Sequence, residues 1–455
     1  MSKNAVVAAL AVLACAQVSA QEIEPAVAPA PAVDPQAGPG SARAGWNIGS
    51  VSLYAGGFVE AAGVYRTRNQ NQDVLTGFSD VPFADSPDHD QHETAFSARQ
   101  SRLDLLARLW KTDEGELQAY AEVDLLGSDR RAYVPHDRVG YLLWTGDQPD
   151  FYFLAGQDWS LATPYRDGLE PRQENVPLTI DAGYSAGFAA PRQPQLRVVG
   201  RFGPLLSLGL SLEQPHNQVR GIDNPDGSAA ASVHSVAPDM IVKVASDPGF
   251  GHYELYALTR LFHDKAPEFV GVPDSTRSNT TVATSLGVNA MLPLFERRLE
   301  LQASGLFGAA NGRYGAGHLA DTVFNTTDGS LYAVREQQAM VGVVAHVTKK
   351  IDAYAYGGIE HSKAAYSLMP ANNLGCGFDT SIAPLPPGFD CGSVGTVRSA
   401  TAGAWWEFYR GEHGFLMAGP QFEILNNHTY AGSDGTAGHA NESVVMLSLR
   451  YYPYQ

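Results

Sequence analysis

The chain is short of positive charge, of cysteine and of long apolar runs. Its 455 residues carry 31 Lys and Arg against 48 Asp and Glu, a formal charge of −17 at pH 7. Nucleic acid needs a basic surface, so this balance argues against such a partner. Beyond the N-terminus no run of about 18 apolar residues occurs, so no spanning helix is expected. That absence leaves a β-barrel open, because a barrel enters lipid through alternate residues of its outer wall. Cysteine occurs only at Cys15, Cys376 and Cys391.

The first segment, MSKNAVVAALAVLACAQVSAQ, has Lys3, an apolar stretch from Ala5 to Cys15 and a small-residue VSA site. It reads as a signal peptide over residues 1–20, too short in its apolar part to anchor the chain. Residues 21–48 are rich in Pro and Ala and bury no core, so a periplasmic linker is expected there. Cys15 leaves with the signal. Cys376 and Cys391 then share one loop of an exported protein, which points to a disulfide. Closing a loop of that size is worth about 3 kcal/mol in the chain-entropy model. Half a metal site is the alternative, but no His lies between the two.

What is abundant is alternation. From Gly49 to the end, segments of about ten residues put apolar groups on one side and small or polar groups on the other. ELQAYAEVDLLG sets Leu117, Ala119, Ala121, Val123 and Leu125 against Gln118, Tyr120, Glu122 and Asp124. The terminal VVMLSLRYYPYQ sets Val445, Leu447, Leu449 and Tyr451 against Met446, Ser448 and Arg450. Short breaks (KTDEG, TGDQPD, GRFGP, SDPGFG, PLFER, KKID, RGEHG) take turns with long ones. Together they predict an all-β transmembrane antiparallel β-barrel of about sixteen strands over residues 49–455, with short periplasmic turns and long extracellular loops. A soluble sandwich or propeller uses shorter strands. Aromatics also gather beside the short breaks (Trp110, Trp144, Phe202, Phe295, Phe408, Tyr409, Tyr454), where ring side chains favour a lipid–water boundary.

Three stretches resemble the DcaP-like trimeric porins of Gram-negative outer membranes: FSARQSRLDLLARL (96–109), FLAGQDWSL (153–161) and RQPQLRV (192–198). They come in that family's order, and LSLEQP (210–215) follows them. Where the family has an Arg-rich strand before the Gly-Gln-x-Trp-Ser segment, this chain reads DRVGYLLW, with Arg138 alone. The resemblance covers roughly residues 49–260. It implies a homotrimeric outer-membrane channel for small organic anions, dicarboxylates included, among outer-membrane lipids and lipopolysaccharide.

The residues support an anion path independently. If Leu103 and Leu105 face out, Arg102 and Asp104 face in; if Leu196 and Val198 face out, Arg197 and Arg201 face in. Arg99 has the opposite parity, which a bulge would reverse. Guanidinium forks hold carboxylates in bidentate fashion, and a ring of them selects anions. The competing reading pairs each Arg with a lumen acid such as Glu122 or Glu213. The longest break, SLATPYRDGLEPRQENVPLTIDAGYSAGFAAP, is expected to fold into the lumen, as the resemblance implies, bringing Arg166, Arg172 and Arg192 towards the wall arginines.

Two local motifs carry less. GYSAG (183–187) matches a nucleophile elbow, but Ser185 lacks the strand–turn–helix context that chemistry requires, so no catalytic role is expected. DSPDHDQHE (85–93) bunches Asp85, Asp88, Asp90, Glu93, His89 and His92 at no spacing known for Ca²⁺, so a solvated loop tip is expected rather than a metal site. No cofactor is expected. The function expected is passive diffusion of small hydrophilic solutes through an outer-membrane porin; a closed or adhesive barrel is the alternative, and a barrel hydrolase a more distant one.

Overall fold

The computed structural model describes residues 44–84, 86–127, 132–146, 150–216, 233–265, 278–324, 331–363, 394–430 and 437–453. Cys376, Cys391, Asp85, Tyr454, the signal segment and most of the linker lie outside them.

Sixteen antiparallel strands close into one barrel. They are β1 (Val51–Arg66), β2 (Glu93–Ser97 continued by Arg102–Thr112), β3 (Gly115–Asp124), β4 (His136–Gly146), β5 (Phe151–Trp159) and β6 (Arg192–Arg201). Then follow β7 (Leu206–Glu213), β8 (Val233–Ser235 continued by Asp239–Ser246), β9 (His252–Lys265), β10 (Ser278–Leu294) and β11 (Leu299–Ala309). The last are β12 (Arg335–Thr348), β13 (Ile351–Ser362), β14 (Val394–Gly411), β15 (Gly414–Thr429) and β16 (His439–Tyr452). Each pairs with its chain neighbour, and β16 pairs back onto β1 with Leu449 opposite Ala61. Closure leaves no strand edge to lipid, which has no water to satisfy one.

The wall is inverted relative to a soluble β protein. On β16, Leu447 is 62% exposed while its neighbour Met446 is fully buried and Arg450 is 1% exposed. Leu103, Leu105, Leu196 and Val198 point outward; Arg102, Asp104 and Arg197 point inward and are buried. At the short-turn end Trp110, Phe202, Phe295, Phe408 and Tyr409 are exposed, as an aromatic girdle requires. Trp144 is half-buried there against Phe151, at 5.1 Å.

Two local features were not expected. Ala44–Ile48, the end of the segment read as linker, forms a strand paired with Val51–Ala55. The alternation of Gly45, Asn47 and their neighbours is too short to have marked it. Second, β2 carries a bulge. Ala62 and Phe58 of β1 face Ser97 and Arg102, so three residues of β1 oppose four of β2. The extra residue inverts the parity, which puts both Phe96 and Leu103 outside and turns Arg99 inward.

The interior is filled by loops. The third long loop (160–191) folds into the lumen and is tied to the wall on many sides. Leu161 N–H donates to Glu213 on β7 (2.8 Å), Tyr165 N–H to Glu254 on β9 (2.7 Å) and Ile180 N–H to Gln421 on β15 (2.6 Å). Trp405 Nε1–H on β14 donates to the Leu178 carbonyl at 2.8 Å. Two glycines permit the closest approach: a Cβ on Gly187 or on Gly358 would collide with the backbone carbonyls of Ala339 and Ala186 respectively. Phe78, Val81 and Phe83 of the first long loop pack with Ala186, with Leu319 of the sixth, and with Val394, Val397, Leu425 and Ala440 of β14–β16. This apolar core inside the barrel fills the β14–β16 side at the long-loop end.

Candidate functional site

On the opposite side the loops leave a cavity of about 500 Å³. Its lining comes from the first long loop (Thr76–Asp80), β4 (His136, Arg138), the third loop (Gly183, Tyr184) and Arg192 at the start of β6. The sixth loop adds Arg313, Tyr314 and His318. Three guanidiniums thus face a space in which Asp80 is the lining carboxylate.

The three differ in how far their charge is spent. Arg138 is aimed inward by a register slip between β3 and β4. It donates to Glu122, to Asp124 at 2.9 Å and to the Tyr184 hydroxyl at 3.3 Å. Arg313 donates to Gln193 and to the Gln214 carbonyl (3.2 Å), with Asp239 at 3.5 Å. Arg192 makes no salt bridge with a described residue, and its Nη1 is buried without a hydrogen-bond partner among them. Its guanidinium carbon sits 5.0 Å over the Trp159 ring, a contact that holds a cation without neutralising it.

The field of these groups registers on Tyr184. Burial raises its hydroxyl, but the guanidiniums of Arg138, Arg192 and Arg102 outweigh that and leave it below its ordinary 10.0. Burial holds the His318 imidazole below its ordinary 6.5.

The residues singled out in the sequence do not form one cluster. Arg192 lines the cavity; Arg102, on the inner wall, lies 3.5 Å from Glu122 and 5.3 Å from the Phe58 ring, with Asp104 buried on the same face. Arg172 stacks over Tyr120 at 5.5 Å and makes no salt bridge with a described residue. Arg166 and Arg201 lie apart, at the short-turn end, where they meet Glu300 (3.9 Å) and Glu170 (2.5 Å). Arg99 and Arg197 are locked into the framework. Arg99 meets Asp73 at 3.2 Å and the Leu125 carbonyl at 3.1 Å. Arg197 donates to Gln195 (3.0 Å), the Tyr165 hydroxyl (2.7 Å) and the Trp159 carbonyl, with Asp158 at 3.5 Å.

Arg313 and Tyr314 were missed: GRYGAG lies in a loop, where alternation carries no orientation. Arg138 was seen but not assigned, because its inward aim depends on the slip. Ser185 Oγ meets Ser399 Oγ of β14 at 3.1 Å, which makes it a wall contact. The His/Asp cluster divides: His89 meets Asp90 at 3.0 Å, while Glu93 turns inward to Arg66 at 3.1 Å. Among the described residues no three such side chains converge to hold a metal.

Solved structures place this architecture. The outer-membrane channel DcaP of Acinetobacter baumannii superposes with a TM-score of 0.66 at 16% identity, over 90% of this chain and 99% of that one. The fold is that of the outer-membrane porins. An anion-selective porin from Comamonas acidovorans matches with a TM-score of 0.51 at 12% identity, over 88% of this chain and 99% of that one. No family model matches the chain, and no curated protein matches its sequence.

Proposed function

We propose that the chain is an outer-membrane porin that passes small hydrophilic solutes by diffusion and favours small organic anions, dicarboxylates included. The single observation that carries the preference is Arg192, half-buried, which makes no salt bridge with a described residue, keeps a buried Nη1 without a hydrogen-bond partner among them, and lines the cavity with Arg138 and Arg313. An incoming carboxylate completes its hydrogen bonding. The compensated neighbours keep the site from holding that anion too tightly, since conduction needs binding weak enough to leave. Acids of β13, β15 and β16 such as Glu360, Glu423 and Glu442 are buried behind the packed loops, so they do not oppose entry at the vestibule. The likeness to an anion-selective barrel supports the fold alone; the preference rests on the arginines.

The same reading makes residues 1–20 a cleaved signal and pairs Cys376 with Cys391 in the seventh long loop. The barrel works as a homotrimer, with short turns in the periplasm and no catalytic role for the chain. Liposome swelling tests the preference. Proteoliposomes should admit succinate faster than a neutral sugar or a diamine of similar size. Equal rates would reduce the chain to a non-selective channel, and no swelling would make it a closed barrel.

A further inference from the structure

The outer surface of the barrel is not uniform at the long-loop end. On β6 to β8 the outward positions there are Pro194, Leu196, Leu212, Pro238 and Met240, with the uncharged Gln214 just past β7. On β12 to β16 the corresponding positions carry Arg335, His361, Arg398, His428 and His439, with Lys363 just past β13 and Gln337, Asn426 and Asn441 between them. The strand pairing makes these one surface. Gln337 lies opposite His361, Arg398 opposite Asn426, and His428 opposite His439. Lys363 N–H donates to the Arg335 carbonyl at 2.8 Å. Arg398 Nη1 donates to Asn426 Oδ1 at 3.0 Å, and Asn426 Nδ2 donates to Asn441 Oδ1 at 2.5 Å. The described acids of these strands at this level, Glu336, Glu360, Glu423 and Glu442, all point inward and are buried.

Height decides what this surface meets. On β14 the outward residues between Arg398 and the exposed Trp406 are Ala400, Ala402 and Ala404. The eight residues from Trp406 to Arg398 span about 26 Å of strand at about 3.3 Å each, or about 20 Å of membrane normal at a tilt near 40°. An outer-membrane barrel has an apolar band about 25 Å tall. Arg398 therefore stands just below the upper edge of the hydrocarbon, from which its long side chain reaches the headgroups, and Lys363 and Arg335 stand four residues further along the sheet. Ile359 directly opposite Arg398, and Ile424 and Val445 below it, are exposed and apolar, as acyl chains require.

We propose that this outward band on β12–β16 is a binding site for the phosphate groups of an outer-leaflet glycolipid. Arg335, Lys363 and Arg398 supply fixed charge, and the amides of Asn426 and Asn441 face the sugar hydroxyls. Guanidinium matches phosphate in bidentate fashion, and the apolar rows beneath hold the acyl chains. The inference rests on the outer-membrane reading, but its residues face away from the lumen.

The test is retention of bisphosphorylated lipid A by the detergent-solubilised full-length protein, read by native mass spectrometry. The variant Arg335→Gln/Lys363→Gln/Arg398→Gln should bind it at least tenfold more weakly, and Arg398→Lys alone should keep most of the affinity. Phosphate-free lipid A should bind the wild type as weakly as the triple variant binds the phosphorylated form. Inorganic phosphate at matched concentration should not displace the lipid. Retention by the triple variant within about twofold, equal binding of phosphate-free lipid A, or full displacement by inorganic phosphate would each overturn the proposal. Because the residues face outward, the bilayer reversal potential should be the same in variant and wild type. A loss of lipid retention with normal conductance supports the site; an absence of conductance in the wild type counts against the porin reading while leaving the lipid measurement intact.

Discussion

Three arginines on β6 show how differently one strand can spend the same side chain. Arg197 is fully buried among Asp158, Gln195, Tyr165 and the Trp159 carbonyl. Arg192, five residues earlier, has the opposite parity, but at the strand's start it lines the cavity over the Trp159 ring and makes no salt bridge with a described residue. Arg201, at the short-turn end, is 36% exposed and paired with Glu170. The lesson is that facing the lumen does not make a charge available to a solute. Availability depends on whether neighbours have already satisfied it.

The comparison breaks most visibly at Arg197. Arg197→Ala would leave Asp158 and the Tyr165 hydroxyl buried without their cation, so a loss of about 3–5 kcal/mol is expected. Urea unfolding of the detergent-solubilised barrel measures it. A loss below about 1 kcal/mol would mean that the network is not structural.

Glu360 is the acidic counterpart. Its carboxylate on β13 accepts N–H bonds from Gly187 (2.8 Å) on the third loop and from Ala316 (2.8 Å) and Gly317 (3.0 Å) on the sixth. One side chain thus holds both lumen loops. Glu360→Gln weakens charge-assisted bonds worth about 1.5–3 kcal/mol each in the intact site. It should raise conductance and add rapid fluctuations in single-channel records. A quiet record of unchanged size would show that the loops are held elsewhere.

Arg192→Ala should cost less than about 1 kcal/mol of stability, since it removes one cation–π contact. It should nevertheless weaken carboxylate binding by about tenfold, the equivalent of about 1.4 kcal/mol. The inhibition of chloride current by added succinate reads this directly. Unchanged inhibition would move the site away from the vestibule. The smallest effect is expected for Arg201→Ala, whose half-exposed pair with Glu170 is worth about 0–1 kcal/mol. Its succinate inhibition should match the wild type.

Much of this architecture was legible before any coordinates. Period-two alternation located the strands, alternating loop length ordered the ends, and parity placed Arg102 and Arg197 on the inner face. The terminal segment faced as read, with Leu447 outside and Arg450 inside. What stayed hidden followed from events that alternation does not encode. A single extra residue in β2 turned Arg99, and a slip against β3 turned Arg138. Which arginines were already neutralised depended on acids brought together by loops distant in sequence, such as Glu122 with Arg138. Arg313 and Tyr314 sit in a loop whose path is set by its Leu319 packing on Phe78 and Val397 and by N–H bonds to Glu360, and no local pattern announces that.

The account stands on an aqueous interior whose free charge is positive at the entrance. The most direct measurement is the reversal potential of the purified protein in a planar bilayer under a potassium chloride gradient. Preference for chloride is the predicted result, reduced in Arg192→Ala and unaltered in Arg201→Ala. A preference for potassium, or no current at all from correctly folded barrels, would contradict it.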